Sequence, residues 1–336
     1  MMYFAFQKKA IVFSKTKLWL KNPENWVGWF YLIPLFVLII LFTILPIIQS
    51  MQGAFETHPY RNKLTITKIG LDNFKWVWKD NNFWVAIKNS TIILFVATFI
   101  SFIISFFVAF LIESFILKVA RSAFLTVFYS QFFLSSFAVG IAFVLLFGEK
   151  NVFFKLFAQN KFSFTSGKTH IVWYFVLFQV WRSLPFNIIL FAAAINKANL
   201  KYKKLMQTDN LKTWSKIKYV YFQELKVTIF SITITNFIFA FLLYPNAILE
   251  STFNYEKHQA FTVSSYILRF LGIGDGEGFY YNISRAYASS MLIFAYAILL
   301  MLFVYLFRIK NLKRVYKFLK YFKTKLIRKK YVEINN

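Results

Sequence analysis

The chain has 336 residues, 58% of them apolar and 22% aromatic, an odd composition for a soluble protein but ample for several bilayer-crossing helices. Its formal net charge of +27 would in a soluble protein point to nucleic acid, yet the 40 Lys and Arg residues cluster between apolar runs and no nucleic-acid module is recognisable. Cysteine is absent, which excludes a disulfide framework, a thiolate metal site and a thiol nucleophile.

Residues 1–25 hold Lys8, Lys9, Lys15, Lys17 and Lys21 without a small-residue cleavage site after a short apolar core, and read as a retained basic head. Residues 26–88 join a first apolar run, 26–49, to a polar external segment. The run meets the roughly 20 residues needed to cross a hydrocarbon core about 30 Å thick, with Pro34 and Pro46 placed to kink it. In the external segment Asp72, Phe74, Val77 and Trp78 are spaced as a capped amphipathic helix, and Trp76, Trp78 and Trp84 fit an aromatic belt. Residues 89–307 supply five further runs, 89–112, 122–147, 171–195, 227–249 and 286–307, giving an all-α membrane protein of six transmembrane helices. Glu113 falls at a membrane edge, and the glycine-rich stretch 272–278 reads as a mobile loop. Residues 308–336 form a basic tail whose Leu312, Val315, Tyr316, Leu319, Phe322 and Leu326 trace an apolar stripe suited to anionic lipid; a disordered lysine tail fits equally well.

Six crossings put both termini on one side of a cell membrane. That side carries more than twice the Lys and Arg of the other, so the positive-inside rule makes the termini and the polar segment 196–226 cytoplasmic. Within that segment Lys201 to Thr208 predict a short helix and Asp209 and Asn210 a turn. Leu211, Trp214, Ile217, Lys218 and Tyr221 then recur at helical spacing. Asp209 suits the N-cap of the second helix, and Asn210 tolerates a left-handed backbone at the corner.

Signs of covalent chemistry are missing. His58, His170 and His258 fall far apart in external segments, and there is no HExxH pair, carboxylate cluster or nucleophile motif. Ser166-Gly167-Lys168-Thr169 imitates the end of a phosphate-binding loop, but the required first glycine falls on Phe162. No span carries the buried acid expected of a proton-driven carrier. Two readings survive, a pore subunit that borrows an ATPase and a six-span membrane scaffold without transport activity.

The residues also carry a resemblance. GLDNFKWVW ahead of the second run, VWRSLPFNIILFAAAINKANLKYKKLMQTDNLKTW across the fourth, and RAYASSMLIFAYAILLM in the sixth resemble the permease subunits of binding-protein-dependent sugar importers, the ABC permeases of the maltose and glycerol-3-phosphate type. The likeness covers residues 26–307. It implies a type I ABC importer permease fold that pairs with a second, related six-span subunit to form the pore. It further implies a cytoplasmic ABC ATPase that uses the ATP, an extracytoplasmic solute-binding protein, and no cofactor on this chain. The family's coupling motif, Glu-Ala-Ala followed three residues later by Asp-Gly, falls on Lys204, Leu205 and Met206, then on Asp209 and Asn210, with Trp214 just beyond. Only the aspartate is kept; Lys for Glu reverses a charge and Leu and Met are bulkier than Ala, so the ATPase surface they meet should differ in kind. Gln179, Arg182, Asn187, Ser231, Asn236 and Tyr244 lie in runs four and five, where the family's solute pathway runs. Each could equally serve as an interhelical hydrogen bond. The planar fork of Arg182 suits a phosphate or carboxylate, unless it snorkels to the membrane face.

Overall fold

The computed structural model describes residues 23–57, 68–115, 117–134, 136–148, 152–156, 164, 169–249, 253–272 and 281–306. The lysines of the basic head, His58, the tail with its apolar stripe, the glycine-rich stretch beyond Gly272 and residues 166–168 of the false phosphate loop lie outside them.

α1, Pro23–Ile39, passes through a π turn, Ile40–Ile44, into α2, Leu45–Phe55. Pro46 stands at the start of α2; its ring crowds the preceding turn and it has no N–H to give, so the helix widens there. This first span is apolar on all sides and exposed in its middle, Phe42 by 75%, as a face meeting lipid requires. Glu56–Thr57 (β1) pairs antiparallel with Lys68–Ile69 (β2), and α3, Asp72–Lys79, follows. α3 is the expected amphipathic helix: Val77 is buried, and Asn73 Nδ2 donates to the carbonyls of Ala54 (3.0 Å) and Glu56 (2.9 Å). Leu71 occupies its N-cap with no side-chain bond, so Asp72 does not cap the helix; it adds first-turn charge and pairs with Lys68 at 3.9 Å.

The second span starts earlier than its apolar run. α4, Asn81–Ile92, is capped by Asp80, whose carboxylate accepts from Asn82 N at 3.0 Å, and continues through Ile93–Ala97 into α5, Thr98–Ser114. The first turns of α4 are polar because they pack on a folded loop: Asn89 Nδ2 donates to the carbonyls of Gln259 and Phe261 at 2.7 and 2.9 Å. At the other end Glu113, whose side chain is only 2% exposed, pairs with Arg121 at 2.8 Å across the tight link to α6, Lys118–Ser130.

The third run, expected as one crossing, is broken. α6 ends in a 3-10 turn, Gln131–Phe133, Leu134 is extended, and α7, Ser136–Phe147, begins anew. Five helices among the described residues are long and apolar enough to cross a membrane, and the third run is represented only by the shorter Ala138–Phe147. Gly140 sets the approach of α7, since a Cβ there would meet the Ala247 carbonyl at 2.9 Å.

α8, Val152–Leu156, precedes α9, Val172–Thr208, the longest element and the axis of the fold. α9 packs along α5 on one side and along α11, Phe222–Phe241, on the other, burying Ala109, Ile188, Phe191, Ala192, Ile195 and Ile232 between them. After α11 the chain leaves helix eight residues sooner than its apolar run, turning at Pro245–Ala247 so that Leu243, Ile248 and Leu249 pack inward. α12, Val263–Arg269, opens with a reciprocal capping box between Thr262 and Ser265. α13, Ile283–Leu306, then lies against α2 and α3, with the Tyr287 ring filling the notch left by Gly53.

Candidate functional site

α9 outruns any bilayer. At 1.5 Å per residue its 37 residues reach about 55 Å, against a hydrocarbon core of about 30 Å, so its C-terminal part stands clear as a post. The expected short helix over 201–208 is therefore the end of the spanning helix itself. α9 stops where Asn210 takes a left-handed backbone, φ 42°. Leu211 N donates to the Met206 carbonyl and Asn210 N to the Gln207 carbonyl, both at 3.2 Å, and Leu211 packs beside Met206. This is a Schellman stop with its apolar contact. Asn210 plays the part expected of it. Asp209 does not: it is the C-cap residue of α9, and the next helix, α10, Thr213–Ser215, is led by Lys212, three residues too late for the Asp209 carboxylate to cap.

The chain then folds back through a π turn, Lys216–Tyr221, into α11. Lys201 Nζ and Tyr202 Oη both donate to Glu224 Oε1, at 2.6 and 2.8 Å, and Tyr221 Oη donates to Asn199 Oδ1 at 2.6 Å. Beneath these bonds Met206, Val220, Tyr221 and Leu225 are buried, so the elbow has a core of its own. Of the six expected coupling residues Met206 faces that core; Lys204, Leu205, Asp209, Asn210 and Trp214 face outward. Trp214 is 74% exposed, and Leu205, Tyr219 and Phe222 lie bare with it. Tyr219 and Phe222 escaped the sequence reading because they fall off the helical stripe that follows Trp214.

Between the spans the structure gathers three of the six expected pathway residues into buried positions. Asn187 Nδ2 and Asn236 Nδ2 converge on Ser101 Oγ at 3.1 and 3.4 Å, joining α9, α11 and α5 at one hydroxyl. The Oδ1 atoms of both asparagines, Ser105 Oγ and both side-chain polar atoms of Gln179 are buried without a hydrogen-bond partner among the described residues. Ser101 and Ser105 were not foreseen; their spacing of four within a Phe- and Ile-rich run was the available signal. Ser231 lies apart on the exposed face of α11, donating to its own helix at Val227 O (3.2 Å), and Tyr244 sits past the end of α11 at the head of a 3-10 turn.

Arg182 is placed differently from all of these. It lies ten residues into α9, about 15 Å along the helix from its first residue. Its guanidinium lies over the Phe239 ring, 4.7 Å from the centroid. Gln131, Leu134, Val139, Pro185 and Phe186 complete the wall of a cavity of about 180 Å³ beside it.

No protein-family model matches the chain. It is 24% identical over 230 residues to a probable ABC transporter permease protein of Mycoplasma genitalium, covering 67% of this chain and 70% of the relative. With the homologue in Mycoplasma pneumoniae it shares 20% identity over 191 residues, 56% of this chain and 58% of that one. Its fold matches a chain from a bacterial ABC transporter involved in the import of the acidic polysaccharide alginate, with a TM-score of 0.66, 21% identity and coverage of 85% of this chain and 96% of that one. A chain of the bacterial alginate ABC transporter in complex with an alginate pentasaccharide-bound periplasmic protein matches with a TM-score of 0.67, 20% identity and coverage of 88% and 98%.

Proposed function

Starting from a chain that is homologous to ABC transporter permeases and has an importer permease's fold, we propose that it forms half of a solute-import pore and couples that pore to ATP hydrolysis by a cytoplasmic partner. The observation that carries this reading is the elbow, a rigid corner on the end of a spanning helix, braced by Glu224 and topped by bare Leu205 and Trp214. Such a corner, seated in a cleft of a motor domain, moves with that domain and carries α9 and α11 along. Lys204, Leu205, Asp209, Asn210 and Trp214 make the contact, while Met206 holds the corner together from within.

The other half of the pore is a second, related six-span chain. An extracytoplasmic binding protein delivers the solute to the opposite face, where α3, α12 and the 253–262 loop form a platform tied by Tyr266 Oη to Asp80 (2.8 Å) and by Arg269 to Glu256 (3.3 Å). Both termini lie in the cytoplasm, and anionic lipid is a further partner. The chain performs no covalent step and carries no cofactor. Its solute is a sugar or a glycerol-phosphate-like molecule; the acidic polysaccharide handled by the transporters of similar fold belongs to the same broad class. The test is purification of the complex. An ABC ATPase should come with the chain, and solute should stimulate its hydrolysis. Deleting residues 205–214 should abolish that stimulation; wild-type turnover in the deletion variant would end the proposal. A complex without an ATPase, in vesicles that accumulate no solute, would identify a membrane scaffold instead.

A further inference from the structure

The charge of Arg182, in the first third of α9, extends the import reading above and rests on it. Among the described residues Arg121 pairs with Glu113, and Arg269 with Asp80 and Glu256. Arg182 has no such carboxylate among the described residues; the Phe239 ring is its neighbour, and it sits in a helix long and apolar enough to cross a membrane. A guanidinium within a spanning helix is costly unless it has a counter-charge or a polar cavity, and side chains of this kind mark solute and ion pathways. Here the cavity exists, about 180 Å³ in volume, and its wall brings two further features to the same place. Gln131, at the break in the third run, adds an amide. Leu134 and Val139 flank the start of α7, a twelve-residue half-helix, so the positive end of its dipole borders the cavity. Pro185, Phe186 and Phe239 give the cavity an apolar side. We propose that this cavity is an anion subsite in the translocation pathway, in which the Arg182 fork grips the carboxylate or phosphate of the passing solute while Phe239 holds the guanidinium plane in place. A neutral sugar offers the fork no negative partner, so the subsite selects for acidic solutes.

The assembled transporter, purified with its partners, provides the test. Its thermal midpoint is measured with glycerol 3-phosphate, with an alginate trisaccharide, and with the neutral counterparts glycerol and maltotriose. Either anion should protect the complex and the neutral molecules should not; which anion protects identifies phosphate or carboxylate as the recognised group. Arg182→Gln should weaken that protection about 10- to 100-fold in apparent affinity, the weight of one or two charge-assisted hydrogen bonds. Arg182→Lys, which keeps charge but loses the fork, should fall between and guards against a Gln variant that fails to assemble. Protection by neither anion, equal protection by the neutral counterparts, or full protection in both variants overturns the subsite and leaves the import reading intact. Solute-stimulated ATP turnover by the wild-type complex reports on that reading separately.

Discussion

At φ 42° Asn210 holds a backbone that costs most L-residues roughly 1–2 kcal/mol, and asparagine less because its short amide can bond locally. Asn210→Gly should therefore keep or slightly raise the thermal midpoint of the purified chain, and Asn210→Val should lower stability by about 1–2 kcal/mol. An unchanged midpoint for the valine variant would mean that the corner is not left-handed. The sequence made this residue legible, since Asp-Asn between helical stretches is a turn signal with a mechanism. It placed Asp209 at the wrong helix end, because an Asx residue between two helices can close the first or open the second, and the N-cap of the second was expected. Only the position of the Schellman bonds, from Leu211 back to Met206 and from Asn210 back to Gln207, decides for the first. Ser101 was hidden for a related reason. A serine in an apolar run commonly bonds its own helix, and Ser101 Oγ does donate to Thr98 O at 3.1 Å; that it also accepts from two asparagines depends on helices more than eighty residues away in sequence. Ser101→Ala leaves both amides without that acceptor. It should cost about 1–3 kcal/mol, read as a lower midpoint in thermal unfolding, with Asn187→Ala partly masking the loss in the double variant.

At the scale of elements, apolar runs mark where lipid is and not where helices end. The fourth run closes at residue 195, yet α9 continues to Thr208, because Lys, Ala, Leu, Met and Gln sustain a helix in water as well as in a membrane. The opposite error occurs in the third run. Its composition is apolar enough to lie in the membrane, but the break at Gln131–Leu134 contains neither Gly nor Pro, so no local signal announces it. In the proposed function, motion at the elbow reaches Asn187 along the helix that joins them, and this makes a direct experiment possible. Lys203 is exposed on the post, so Lys203→Pro removes a backbone bond and kinks the helix, at about 3 kcal/mol locally, without disturbing the membrane core. The variant complex should assemble and hydrolyse ATP at its basal rate but lose stimulation by solute. If stimulation survives, force does not travel along α9.

The whole molecule is polarised. Aromatic packing around Phe143, Tyr174, Phe261, Tyr266 and Phe270 consolidates the end that carries the 253–262 loop, and the smaller cluster around Phe191, Val220 and Tyr221 consolidates the elbow. Lys257 and Asp209 are exposed at these two ends. The charge asymmetry of the sequence predicts that the elbow is cytoplasmic, and the proposed function requires it to be, because the ATP is there. The absence of cysteine turns the requirement into a clean measurement, since a single introduced thiol is the only one that can react. In intact cells Lys257→Cys should be modified at once by a membrane-impermeant maleimide. Asp209→Cys should stay unmodified until the membrane is permeabilised, and then react wherever the ATPase leaves it uncovered. Burial within the chain cannot explain the protection, as both sites face solvent in the folded chain, and Lys203→Cys, exposed on the post outside the proposed contact, controls for cover by the partner. Were Asp209→Cys modified from outside, the elbow would stand where no ATPase can reach it, and helices α9 and α11 would have to be moved by something other than nucleotide hydrolysis.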